Sequence, residues 1–140
     1  MTRDEAQRVV KDLMTSLKQT SSEGLNAKGF GGVVVGLAQL YFEYRDWEQD
    51  LKASALIYKF KDEPKPGILE GFQAEEKKGT DTGGGKVDYE KENKGLYLSR
   101  AYTTAPSSEA FQKDMDRLMK ASLVWGDAVL KRVSSSVFKK

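Results

Sequence analysis

In this 140-residue chain the spacing of the apolar side chains changes twice, and no other feature restricts its fold as much. Near both ends they recur every three or four positions, as on a helix with one buried face. Through the middle they alternate, as on a strand. Neither kind of element buries its apolar side alone, so this pattern calls for helices laid against a sheet. At the start, Thr2 and Glu5 have the spacing of a capping box, and Ala6, Val9, Val10, Leu13, Met14 and Leu17 form one stripe that ends near Ser21, Ser22 and Gly24. At the other end Pro106, Ser107 and Ser108 open the longest helix. Phe111, Met115, Leu118, Ser122, Trp125, Val129 and Val133 follow at near-heptad spacing, and Lys131 and Arg132 suit its C-terminal dipole.

Between them, Val33 to Tyr44 reads as a strand, with Leu40, Phe42 and Tyr44 on one face and Val35, Leu37 and Tyr41 on the other. A continuous helix over 37–60 is the competing reading; the glycines and β-branched residues at its start count against it. Arg45 to Asp50 makes the turn, and Leu51 to Phe60 returns with Leu51, Ala53, Ala55 and Ile57 on one face and Leu56, Tyr58 and Phe60 on the other. The prolines of 61–67 mark a linker. A short amphipathic helix follows with Ile68, Leu69 and Phe72, then a flexible glycine-rich loop over 79–85. A second hairpin pairs 86–91 with 95–102. The expected architecture is one α+β domain over 1–140. It has an ordered core of about 3–133, a frayed tail over 134–140, and an antiparallel sheet with the terminal helices packed on one face, in the order α-β-β-α-β-β-α.

Composition narrows the chemistry. The chain has neither cysteine nor histidine, which removes disulfides, thiolate nucleophiles, Cys/His metal sites and every histidine-based relay. Asp114 and Asp116 fall on the exposed helix face. The acidic turn of Glu43, Asp46, Glu48 and Asp50 lacks the alternation and central glycine of a calcium loop. Gly83-Gly84-Gly85-Lys86 fails as a phosphate loop: Thr80 stands where the first glycine belongs, Val87 replaces the magnesium-binding hydroxyl, and a strand follows where a helix should. No catalytic residue, metal ligand or cofactor site is expected. A net charge of +2 and a pI near 8.7 are too mild for a dedicated nucleic-acid binder. No run approaches the roughly 20 apolar residues of a membrane span. The charged first residues lack the apolar core of a signal peptide, which points to the cytoplasm.

The residues in surplus are apolar. With the helices on the Leu40 face, Val35, Leu37 and Tyr41 are left facing away, and Trp47 stands in a polar turn; these four are the expected partner-binding residues. They point to a non-catalytic module that holds an extended segment of a partner protein. The other reading is a small-molecule-binding or enzymatic domain with a cavity between helices and sheet, where Tyr41, Tyr44, Tyr58, Tyr97 or a buried lysine would do proton work. Closure of the interior by Phe42, Leu98, Met115 and Trp125 would leave it no room.

The run Gly95-Leu96-Tyr97-Leu98-Ser99-Arg100, leading through a proline-containing link into the long last helix, resembles the Tir-type (CesT-like) type III secretion chaperones and the related YbjN fold. Both are small bacterial cytosolic domains, and the resemblance covers about 3–133. It implies a chaperone without enzymatic activity, a partner segment bound to apolar patches, and a homodimer paired through the short central helix and the strand near Val87 to Tyr89. Ile68, Leu69 and Phe72 are the expected dimer interface, since three large apolar side chains on so short a helix need cover from outside it.

Overall fold

The computed structural model describes residues 1–19 and 22–138, so Ser21 and the last two lysines of the expected tail lie outside the described residues. Helix α1 spans Arg3–Ser16. Thr2 caps it as expected: its hydroxyl accepts the Glu5 amide at 3.2 Å while the Glu5 carboxylate accepts the Thr2 amide at 2.8 Å. Two otherwise orphaned donors are satisfied at once. Ala6, Val9, Val10, Leu13 and Met14 are all buried, as the stripe requires.

The stretch expected as one strand over 33–44 is a hairpin. Strand β1 is Phe30–Val35 and β2 is Ala38–Arg45, with Val35 opposite Ala38 and a two-residue turn at Gly36-Leu37. Gly36 has φ +60, and glycine at the first turn position is what a type II′ hairpin needs. Because the chain reverses there, Val35 does not share a face with Tyr41. It lies half-buried against the core, on the face of Leu40 and Phe42.

Strand β3 is Asp50–Lys59, α2 is Ile68–Lys78, β4 is Lys86–Glu90 and β5 is Gly95–Tyr102. The sheet is antiparallel throughout, in the order β1-β2-β3-β5-β4. The α+β class holds, and the order gains a strand to become α-β-β-β-α-β-β-α. The parity along β3 also changes. A bulge between Leu56 and Tyr58 puts Tyr58 opposite the buried Leu96, so Tyr58 leaves the face of Leu56.

The C-terminal helix is α3, Ser108–Val124, continued by a π-helical segment at Trp125–Val129 and by α4, Leu130–Phe138. It remains helical through 134–138, where fraying was expected. The π segment meets the β3 bulge: a Cβ on Gly126 would stand 2.6 Å from the Ile57 carbonyl oxygen. Helices α1 and α3 cover one face of the sheet, and between them Phe42, Leu51, Leu98, Phe111, Met115 and Trp125 are closed off. The Ser108 hydroxyl donates to Asp12 at 2.7 Å, tying the start of α3 to α1.

Helix α2 belongs to this same core. Phe72 is fully buried with its ring stacked on Trp125 at 6.2 Å, and Ile68 is buried beside it. The expected dimer-interface role of Ile68 and Phe72 is therefore corrected: the long C-terminal helix of the same chain supplies their cover. Leu69 is only half-buried. The loop before β4, expected to be flexible, packs against the same helix. The Trp125 indole donates to the Asp81 carbonyl at 2.8 Å, and Gly83 lies so close to α3 that a Cβ would meet the Arg117 carbonyl at 2.5 Å.

Candidate functional site

With the helices on one face, the opposite face of the sheet and its two outer strands are what the molecule presents. On β1 the ladder phase decides which backbone groups are free. Tyr44 donates its amide to the Gly29 carbonyl at 2.8 Å, so Gly31, Val33 and Val35 turn their N–H and C=O groups towards β2. Those of Phe30, Gly32 and Val34 point outward. Asn26 takes both groups of Phe30, its amide on the Phe30 carbonyl at 2.7 Å and its side-chain oxygen on the Phe30 amide at 3.0 Å. Among the described residues nothing bonds the outward groups of Gly32 and Val34. Two donors and two acceptors in a row therefore stand open, which natural edges seldom leave without protection.

The side chains around this edge are apolar. Leu37 is 89% exposed, Val34 64%, Phe30 48% and Tyr41 42%. Phe30, Val34 and Tyr41 share the outer face, where Tyr41 packs edge-on against Tyr97 at 5.9 Å and donates its hydroxyl to Gln39 at 2.6 Å. A groove of about 430 Å³ follows the edge, lined by Met14, Gln19, Val33, Val34 and Tyr41 among others. Of the four residues expected to bind a partner, Leu37 and Tyr41 lie at this edge. Val35 packs inward. Trp47, 72% exposed, stands at the β2–β3 turn, at the other end of β2 from Leu37. An eight-residue strand separates the two, about 27 Å at the usual rise. Phe30, Gly32 and Val34 were missed because one unbroken strand over 33–44 hides an edge. Gly36, the only residue type suited to that turn position, was the available signal.

The remaining candidates do not converge. Asp50 is buried and accepts from Arg45 Nε and Nη2 at 2.8 and 2.6 Å, so it is a hairpin clip and stands apart from Asp46 and Glu48. That bond also holds the Arg45 guanidinium more firmly protonated than usual. Among the tyrosines, burial raises Tyr97, with the Glu90 charge adding to it. Burial and the hydrogen bond to Asp114 raise Tyr102. Both shifts lead away from neutral pH, the wrong direction for a proton carrier. Phe42, Leu98, Met115 and Trp125 are each at most 1% exposed, so the space between helices and sheet is filled. Among the described residues the grooves of about 590 and 430 Å³ are open ones at the surface. Among the described residues no helix is long and apolar enough to cross a membrane.

No protein-family model matches the chain, and no curated protein matches it in sequence. Solved structures do match in fold. A chain in the crystal structure of the ExsC–ExsE complex superposes with a TM-score of 0.72 at 11% identity, over 92% of this chain and 97% of that one. A chain in the structure of the HopA1–SchA chaperone–effector complex gives 0.63 at 14% identity, over 89% and 95%. At such low identity the likeness shows the architecture alone: chains from these two complexes share this arrangement of helices on an antiparallel sheet.

Proposed function

We propose that this chain is a non-catalytic, chaperone-like binding module that holds an extended segment of a partner protein along the β1 edge. One observation carries the reading: among the described residues nothing bonds the outward N–H and C=O groups of Gly32 and Val34, which stand beside the exposed Phe30, Val34, Leu37 and Tyr41. A partner strand laid there gains up to four main-chain hydrogen bonds at about 1 kcal/mol each. Its alternate side chains divide between the outer face, over Val34 and Tyr41, and the groove beside Met14 and Val33. The fold shared with a chain of a chaperone–effector complex supports the same reading. A filled interior and the lack of cysteine and histidine support a role without catalysis.

Association into a homodimer belongs to this proposal in altered form. With Ile68 and Phe72 withdrawn into the core, the surface left for it is Leu69, the exposed Tyr58 and the outer edge of β4. We place the module in the cytoplasm, with neither membrane nor nucleic acid as its partner.

The test is retention of a partner during purification from the native cell, followed by mass spectrometry, comparing wild type with Leu37→Asp and Val34→Lys. Both substitutions fall on exposed positions and are expected to leave the melting temperature unchanged. The expected outcome is one retained protein lost from both variants; equal retention by wild type and both variants rules the β1 edge out.

A further inference from the structure

We propose that the corner of the sheet where β5 runs past β4 is an oxyanion site, built to take a carboxylate or phosphate group. Strand β4 begins at Lys86, opposite Ser99, so Arg100, Ala101 and Tyr102 have no strand beyond them. The Val87 amide turns outward to Glu76 at 3.1 Å. Lys86, Asp88 and Glu90 therefore carry the ladder to β5, and the N–H and C=O groups of Tyr97, Ser99 and Ala101 point towards the β4 side. At Ala101 the strand that would receive them has already ended, and among the described residues no backbone partner takes their place.

Over this spot lies an open groove of about 590 Å³, lined by Arg45, Lys52, Lys86, Arg100 and Ala101, with Asp88 its one acidic lining residue. Three of the cations are held by carboxylates: Arg45 by Asp50 at 2.6 Å, Lys52 by Asp88 at 2.6 Å, and Arg100 by Asp114 at 3.5 Å. Each remains half-buried and keeps donors free. The Arg45 fork uses only Nε and Nη2, and one carboxylate oxygen occupies one of the three Lys52 protons. Lys86 is exposed and forms no ion pair among the described residues. The pairing, together with Glu43 and Glu48 near Arg45, cancels most of the long-range field. What the groove offers is positioned donors at contact distance.

The glycine-rich loop fits this use, though it fails as a phosphate loop. A Cβ on Gly84 would stand 2.7 Å from Arg100 Nη1, and Gly84 has φ +90. The positive φ favours glycine there, and the missing Cβ leaves the guanidinium room to lie along the loop into the groove. Tyr102 supports that guanidinium from the other side, 4.7 Å from its ring centroid.

The oxyanion has two sources, a free small anion or an acidic side chain of a bound partner. The test is a titration of isotope-labelled protein followed by amide resonances, with inorganic phosphate, with a short peptide of alternating aspartate and glycine, and with chloride at matched ionic strength. Saturable shifts at Ala101, Gly84 and Gly85 are expected with phosphate or the peptide and not with chloride. Saturation by phosphate alone identifies a free anion, and saturation by the peptide identifies partner side chains. Lys86→Gln is expected to weaken the binding roughly two- to fivefold without changing the melting temperature. Gly84→Ala is expected to move the Arg100 side-chain resonance and weaken binding as well. Drifts that never saturate with either probe, or an unchanged affinity in Lys86→Gln, overturn the site. The titration does not involve the β1 edge, so its failure leaves the partner-segment reading standing.

Discussion

Glu75 is a carboxylate in a mostly apolar setting, and its partners show what keeps it there. It sits buried on α2 and accepts from Arg132 Nε and Nη2 at 3.0 and 3.1 Å and from the Thr80 hydroxyl at 2.6 Å. The Arg132 bonds first, and the Thr80 bond second, pull its carboxyl from 4.5 to about 2. The unfolded chain takes up this proton near pH 4.5 and the folded chain only near 2. The stabilisation is therefore complete above the unfolded value and fades as pH falls through the folded one. Arg132 is half-exposed, so solvent screens the pair, and Glu75→Gln is expected to cost about 1 kcal/mol near neutral pH. Thermal melts across the acid range check this: the gap between wild type and variant should close towards pH 2, and a gap independent of pH rules the pair out as its source. Phe72 gives a second test at this scale. Because its ring is enclosed against Trp125, Phe72→Ala is expected to cost about 3–5 kcal/mol in urea unfolding. Phe72→Asp is expected to unfold the chain and not to yield a folded monomer.

At the scale of elements, the fold depends on two irregularities meeting. The bulge in β3 and the π segment of the last helix come together where Gly126 lies on the Ile57 carbonyl. On propensity alone Gly126→Ala would gain about 1 kcal/mol in a helix. Here the added Cβ has no room against backbone, so a net loss of about 1–3 kcal/mol is expected. Chemical denaturation decides the sign. The β1 edge gives a paired experiment on neighbouring valines. The Val33 amide faces β2 and the Val34 amide faces outward. Val33→Pro removes a ladder bond and is expected to cost at least about 1 kcal/mol, whereas Val34→Pro should leave stability nearly unchanged and weaken partner retention. Equal destabilisation by both would mean that the ladder phase derived from Tyr44 and Gly29 is wrong.

At the scale of the molecule, one face of the sheet is sealed by α1 and α3 while the other is left to solvent, with exposed apolar residues at the β1 edge and a groove lined by Lys52 and Lys86 where β5 runs past β4. This asymmetry separates two surfaces on a small domain. Sedimentation tests the dimer proposed through Leu69, Tyr58 and the outer edge of β4. The wild type is expected to be dimeric at tens of micromolar, and Leu69→Asp is expected to be a folded monomer by circular dichroism. A monomeric wild type removes the dimer from the proposal.

The sequence by itself determined the elements whose cause is local. The Thr2–Glu5 box, the α1 stripe, the Gly95–Tyr102 strand and the long C-terminal helix are each specified by residues a few positions apart, as are the α+β class and the lack of histidine or cysteine chemistry. Tertiary structure decided what depends on distant partners. Whether Phe72 faced its own core or another copy rested on Trp125, more than fifty positions away. The face of Tyr58 rested on a bulge that only the pairing with β5 reveals. That Leu37 and Tyr41, two of the four residues expected to bind a partner, are exposed at one edge was legible from the surplus of apolar residues on the strand face. The open backbone of Gly32 and Val34 was not, because a hydrogen bond left unmade is a property of the assembled ladder and has no side chain to announce it.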